Sequence, residues 1–215
     1  MANLRIGKYT GEYYGSYYNE SQPLTSEEMH VNAVYVYQVL KYIYGWSDTA
    51  IAGLLGNMQY ESSINPGRWQ GDNVGKGPAY GLVQWDPYTK YTNWCASEGR
   101  TDPSDMDNNI ERIIYEVNHN IQYIKTKGYP ETFVEFTQST KDPYYLACAF
   151  AWNYERSYVV LYGTESEKEN LRQVRGNGAN YWYTYLTGLE PPPPTPIPKF
   201  KKKMPVYMMC RRIPF

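Results

Sequence analysis

Apolar residues recur along this chain with a helical period, broken by turn-rich stretches. Thr25 followed by Glu28 forms a capping box, in which hydroxyl and carboxylate satisfy orphan backbone donors at a helix start. The helix is predicted to run to about Tyr44, where Gly45 stops it, and Ser47 or Asp48 caps a second one. In that second helix Ile51, Leu54, Leu55 and Met58 fall at i, i+3, i+4 and i+7, a stripe that must be buried. Residues 62–78 are dense in turn formers and read as a loop. The short YGLVQW segment after them is open between a strand and a helix start, because six residues do not resolve a period. Met106 to about Lys127 is predicted helical, with Ile110, Ile113, Ile114, Val117 and Ile121 on one face. Asp142 with Pro143 opens a further helix carrying Leu146, Ala149 and Phe150.

The predicted fold class is therefore mainly α (α+β). One domain over residues 25–190 is flanked by an irregular Gly- and Tyr-rich arm, 1–24, and a tail, 191–215. A chain of 215 residues is long enough for one ordinary core. The longest apolar run, Tyr144 to Trp152, is about half of what a membrane span needs. The opening MANLRIGKYTGEYYG lacks a signal-peptide pattern, which predicts synthesis in the cytoplasm and no membrane insertion.

Net charge is -1, yet six of the 21 basic residues and none of the 22 acidic ones lie in 191–215. Residues 1–190 thus carry 15 basic against 22 acidic side chains, a net -7. Nucleic acid is not the expected partner of such a body, since phosphate binding needs clustered positive charge. The tail has eight prolines in 25 residues, and reads as an extended arm, either solvated or a docking peptide. Three widely spaced cysteines and two histidines outside any metal-binding pattern point to no metal and no cofactor. The loop GDNVGKG lacks the spacing and the Ser or Thr of a phosphate loop. The 25 tyrosines and 6 tryptophans suit sugar rings, cores and interfaces alike.

Glu61 closes the second helix, along the edge of its buried stripe. Partial desolvation there disfavours the charged form, as a general acid near neutral pH requires; local capping or pairing is the plainer reading of the same position. The order Glu61-Ser62, Asn65-Pro66, then Tyr80-Gly81-Leu82-Val83-Gln84-Trp85 resembles the glutamate and Gly-Leu-x-Gln segments of goose-type lysozymes and soluble lytic transglycosylases. With ERIIYEVN and AFAWNYER further on, residues 27–187 resemble the phage tail lysozyme family more closely.

That resemblance implies a lysozyme-like fold and cleavage of the β-1,4 bond between N-acetylmuramic acid and N-acetylglucosamine in peptidoglycan. It puts Glu61 in the role of general acid, protonating the glycosidic oxygen. Gln59, Tyr80, Gln84, Trp85 and Tyr154 then form the substrate-contacting set: Gln84 meets an acetamido group, Trp85 stacks on a ring and Tyr154 faces the glutamate. Asp72 in the loop is the candidate second carboxylate, and turn stabilisation is its ordinary role. The expected setting is a phage virion, at the tail tip, with the 191–215 segment docking on other tail proteins. Some relatives of this kind carry a metallopeptidase domain after the lysozyme domain; the Pro-rich tail implies none here. A structural tail or core component with an inactive lysozyme-like fold, a free endolysin and a lytic transglycosylase are the competing readings.

Overall fold

The computed structural model describes residues 2–9 and 11–188. It is mainly α. A hairpin of β1 (Asn3–Ile6) and β2 (Glu12–Gly15) precedes α1 (Ser26–Gln38), α2 (Asp48–Ser62), α3 (Thr89–Ser97), α4 (Met106–His119), α5 (Phe133–Thr137), α6 (Pro143–Phe150), α7 (Tyr158–Tyr162) and α8 (Glu165–Thr187). Two π-helical turns, Val39–Ile43 after α1 and Ala151–Glu155 after α6, extend those helices. The Thr25 capping box is formed, Gly45 turns the chain at φ 70°, and Ser47 caps α2 by accepting from the Ala50 N–H.

The core is a three-helix contact of α2, α6 and α8. Its geometry follows from small residues. A Cβ on Gly56 would lie 2.6 Å from the Arg175 carbonyl oxygen and 2.7 Å from the Ala179 nitrogen, and one on Gly53 would lie 2.9 Å from the Leu146 Cβ. The backbones of α2 and α8 therefore touch. Helix α8 buries Leu171, Arg175, Gly176, Ala179, Trp182 and Leu186. Of these Leu171, Arg175, Ala179, Trp182 and Leu186 succeed one another at intervals of three or four residues, the spacing of one helix face.

Three expectations need correction. The segment 1–24 is not irregular throughout: β1 and β2 pair antiparallel, with Asn3 opposite Gly15 and Ile6 opposite Glu12. Four-residue strands are too short for alternation to stand out. Packing supplies what periodicity does not, because Tyr13 is fully buried and the Asn32 carboxamide pairs with both the N–H and the carbonyl of Tyr14, each at 2.7 Å. Helix α4 ends at His119 rather than near Lys127, since Asn120 adopts the left-handed conformation (φ 51°) and its N–H returns to the helix carbonyls, a common C-terminal stop. The YGLVQW segment is neither strand nor helix but a tight turn closed by a Tyr80–Trp85 bridge. Helices α3, α5, α7 and α8 have no counterpart in the predicted elements.

Cys95 and Cys148 are buried free thiols, each pushed up to about 11 by burial; Cys210 and the 191–215 tail lie outside the described residues. Among the described residues no helix is long and apolar enough to cross a membrane.

The helix contact makes a signed prediction. Gly→Ala inside a helix ordinarily gains about 1 kcal/mol of propensity. At Gly56 the added methyl meets backbone, which does not swing aside, so Gly56→Ala is expected to destabilise by about 1–3 kcal/mol. Urea unfolding measures it, and an increase in stability would contradict the touching-backbone geometry.

Candidate active site

Glu61 stands one residue before the end of α2. Ser62 directs its hydroxyl to the Leu82 carbonyl at 2.9 Å and to the Met58 carbonyl at 3.1 Å, fastening the 80–85 turn to the end of the helix. Asn65 extends the anchorage by donating to the Ser16 hydroxyl and the Gln22 carbonyl and accepting from the N–H groups of Ser16 and Gly67. Gly81, at φ 87°, leaves no room for a Cβ beside the Trp85 ring and Asn109. The motif residues around Glu61 thus build a rigid floor.

The partner of Glu61 is Arg175 of α8, whose Nη2 donates to Oε1 of the carboxylate. The arginine side chain is 2% exposed and the glutamate 20%. Arg175 also donates through Nη1 to the Asn57 carbonyl at 2.8 Å and lies 4.1 Å from the centre of the Tyr60 ring. The sequence expectation of a partly desolvated carboxyl did not include this cation.

Two further glutamates belong to the same neighbourhood. Glu116, on the buried face of α4, accepts from Trp85 Nε1 at 3.1 Å, Arg112 Nε at 2.9 Å and the Tyr154 hydroxyl at 2.5 Å. Burial nonetheless pushes its carboxyl above the usual range, against the pull of those three donors. Glu155, at the end of the second π turn, is only partly buried as a residue, but its Oε1 is enclosed and accepts no hydrogen bond. Burial first, then repulsion by Glu61, holds the Glu155 carboxyl well above the ordinary 4.5; Arg175 pulls the other way and Glu116 adds to the rise. An oxygen enclosed without a hydrogen bond favours the protonated form of its carboxyl, since desolvation disfavours the charged one.

The other predicted residues are placed as follows. Tyr80 is fully buried, Trp85 is stacked on Tyr91 with centroids 4.4 Å apart, and Tyr154 is stacked on Phe150 and directed at Glu116 rather than Glu61. All three are packing residues in this conformation, with no ring face open to a sugar. Gln84, at φ 48°, donates to the carbonyls of Arg68 and Gly81. Gln59 is exposed and accepts from Trp182 Nε1 at 2.9 Å. Asp72 is exposed, ion-paired with Arg68 of its own loop at 2.7 Å and bonded by the hydroxyl of Ser21, in the segment before α1, at 2.8 Å. The structure gathers Glu61, Glu116, Glu155 and Arg175 instead.

This cluster lies wholly within a known sequence family, for the profile of the family described as phage tail lysozyme matches residues 31–186. The chain belongs to the phage tail lysozyme family. Morphogenesis protein 1 of Bacillus phage B103 is 42% identical over 175 residues, covering 80% of this chain and 44% of that protein. The chain thus spans less than half the length of this relative. The family match takes in α2, α4, the second π turn and α8, whereas the hairpin falls outside it.

The raised carboxyl of Glu155 has a consequence for stability. Above its ordinary value of 4.5 the folded chain keeps a proton that the unfolded chain loses. Its contribution to stability is then full below that pH and declines as pH rises towards the folded-state value. Glu155→Gln cannot ionise, so its unfolding free energy is expected to decline less steeply than that of the wild type between about pH 4.5 and 8. Paired urea titrations across that range measure the two slopes, and equal slopes would refute the assignment.

Proposed function

We propose that this phage lysozyme-family protein is a virion-associated muramidase that opens the host wall by cleaving the β-1,4 bond between N-acetylmuramic acid and N-acetylglucosamine, with Glu61 as general acid. The observation that carries the reading is the position of Glu61. It is a partly exposed carboxylate held by a buried arginine at the end of a rigid helix, in the neighbourhood of the buried Glu116 and the partly buried Glu155. Such an arrangement gives a glycosidic oxygen access to Glu61 while Glu116 and Arg175 stay out of water, where electrostatic effects are strongest.

The sugar contacts are assigned to exposed rings rather than to Tyr80, Trp85 or Tyr154. Tyr60 is 61% exposed next to Glu61, and Tyr158 and Tyr162 pair on α7, which begins three residues after Glu155. Flat apolar faces with a polar tip suit glycan rings. Catalysis requires the proton of Glu61 to reach the leaving oxygen as positive charge grows on the sugar. Attack then comes from water, giving a hydrolase, or from the sugar's own 6-hydroxyl, giving a lytic transglycosylase. Asp72, engaged with Arg68 and Ser21, is assigned to the loop and not to the reaction.

The virion setting and tail-tip location are supported by the family and by the relative's name, morphogenesis protein, which is a statement about that protein. Docking of residues 191–215 on other tail proteins is part of the same proposal.

Digestion of purified peptidoglycan by wild type and Glu61→Gln, with fragments weighed by mass spectrometry, tests the activity. Wild type is expected to release disaccharide fragments, and the variant to lose at least about a hundredfold in rate, the lower range for removing a general acid. Muramic acid reducing ends identify a hydrolase and anhydro ends a transglycosylase. A folded wild type that releases nothing would leave the chain as a structural component.

A further inference from the structure

A groove of about 510 Å³ lies between the hairpin, α1 and the end of α8, and no residue of the Glu61 cluster lines it. That volume falls within the roughly 300–1,000 Å³ of pockets that bury a ligand. Its long wall is α1, through His30, Val31, Val34, Tyr35 and Gln38, a spacing that keeps to one helix face over about 12 Å. Tyr35 is buried and makes the floor, whereas Val31 is 37% exposed. Tyr185 of α8 stands at one end, its ring 4.6 Å from that of His30 and parallel to the exposed Tyr181. Glu12 stands exposed on the hairpin side. It lies towards the Tyr35 and Gln38 half, because Asn32 holds Tyr14 while Gly7, bonded to Gly11, packs on the Tyr35 ring. Neither Glu12 nor Gln38 has a side-chain partner among the described residues. The chain passes Gly188 three positions after Tyr185, and Pro191 to Pro194 follow after Leu189 and Glu190. The hairpin wall and this proline run both fall outside the family match.

We propose that this groove is the seat of the chain's own proline run, Pro191 to Pro194. A polyproline helix rises about 3.1 Å per residue, so four prolines cover about 12 Å, the length of the α1 wall. Such a segment is bound by aromatic-lined grooves because its conformation is formed in advance and little order has to be imposed on it. Proline has no N–H to leave unsatisfied, and its carbonyl oxygens are acceptors for the Gln38 carboxamide. The connection sets the direction. Three peptide steps carry the chain at most about 10 Å from Gly188 to Pro191, so the run enters beside Tyr185 and His30 and leaves past Gln38 and Glu12. The basic residues Lys199, Lys201, Lys202 and Lys203 follow on that side, over a body that carries a net -7. A tether this short gives an effective concentration on the order of millimolar, enough for a contact too weak to hold a free peptide. The seat does not depend on the muramidase reading. It leaves residues 199–215 available to other tail proteins and fixes where on the body they emerge.

The test uses the full 215-residue chain, with the valine methyl groups observed by carbon-13 NMR. Pro192→Ser, Pro193→Ser and Pro194→Ser are combined in one variant, which leaves every residue of the described body intact. The Val31 and Val34 methyl signals are expected to shift in that variant, while those of Val83 and Val117 in the core stay in place. A synthetic peptide of residues 189–203 added to the variant should return the two signals towards their wild-type positions at about millimolar concentration, and a peptide with the same three substitutions should not. Val31 and Val34 signals indifferent to the substitutions would overturn the proposal. Wild-type signals that move on dilution, together with a dimer in sedimentation, would overturn it in favour of a second copy's proline run. Displacement of the same signals in the wild type by N-acetylglucosamine oligomers, with no response to the peptide, would overturn it in favour of a glycan subsite.

Discussion

The direct backbone contact between α2 and α8 is the constraint on which the site depends. Gly56 faces the Arg175 carbonyl and Ala179 with no space for a side chain, so the two helices meet backbone to backbone. At that distance the next polar position on α8, Arg175, has no solvent to reach and must find its partners on α2. It finds the Asn57 carbonyl and the Glu61 carboxylate one turn on. A larger residue at position 56 would separate the helices and admit water to the pair. Glu61 is therefore placed by the packing of helices whose small residues lie one turn away from the chemistry.

That packing carries a cost that stability alone does not explain. Replacing a buried ion pair by well-packed apolar groups is often neutral or stabilising, whereas removing one partner costs about 3–5 kcal/mol. Here the cluster contains three carboxyls against Arg175 and Arg112, and each unsatisfied buried polar atom costs about 1–3 kcal/mol more. Leucine or methionine at positions 116, 155 and 175 would be the simpler solution for a core. Groups whose environments push their proton affinities apart, gathered behind one partly exposed carboxylate, are what acid–base chemistry near neutral pH requires. The exposed Asp72, paired with Arg68 and Ser21, shows none of these strains.

Legibility in the sequence followed the reach of each signal. Caps and stripes act within a few residues, so the starts of α1, α2, α4 and α6 could be read from Thr25, Ser47, Met106 and Asp142. Helix α8 was missed because two glycines and many polar residues dilute its stripe, and its buried face is recognisable only when Arg175 is counted as part of it. The same bias hid the site. Glu116 occupies the α4 face formed by Ile113 and Val117, and an acid or arginine in an apolar register was the available sign of a buried charge. Glu155 lay within the AFAWNYER segment that carried the family resemblance, but the tyrosine beside it drew the assignment. The aromatic residues of YGLVQW suggested a sugar platform because ring type is legible and burial is not; packing against Tyr91 and Glu116 decides the matter.

The hairpin shows how a local addition can brace this arrangement without entering it. It lies outside the family match, yet Arg5 pairs with Asp102, the Tyr13 hydroxyl donates to Asp105 at 3.0 Å, and the Lys8 N–H donates to Asp107 at 2.8 Å. These acids stand at the start of α4 or just before it, where negative charge is favoured by the helix dipole. Tyr35 of α1 donates to the same Asp107 at 2.6 Å, so hairpin, α1 and α4 meet on one carboxylate. Two and a half helical turns further along α4 stands Glu116, bonded to Trp85 of the turn that Ser62 fastens beside Glu61. A rigid α4 thus connects a brace at one end to the floor of the site at the other. Tightening the first limits how far the second can move.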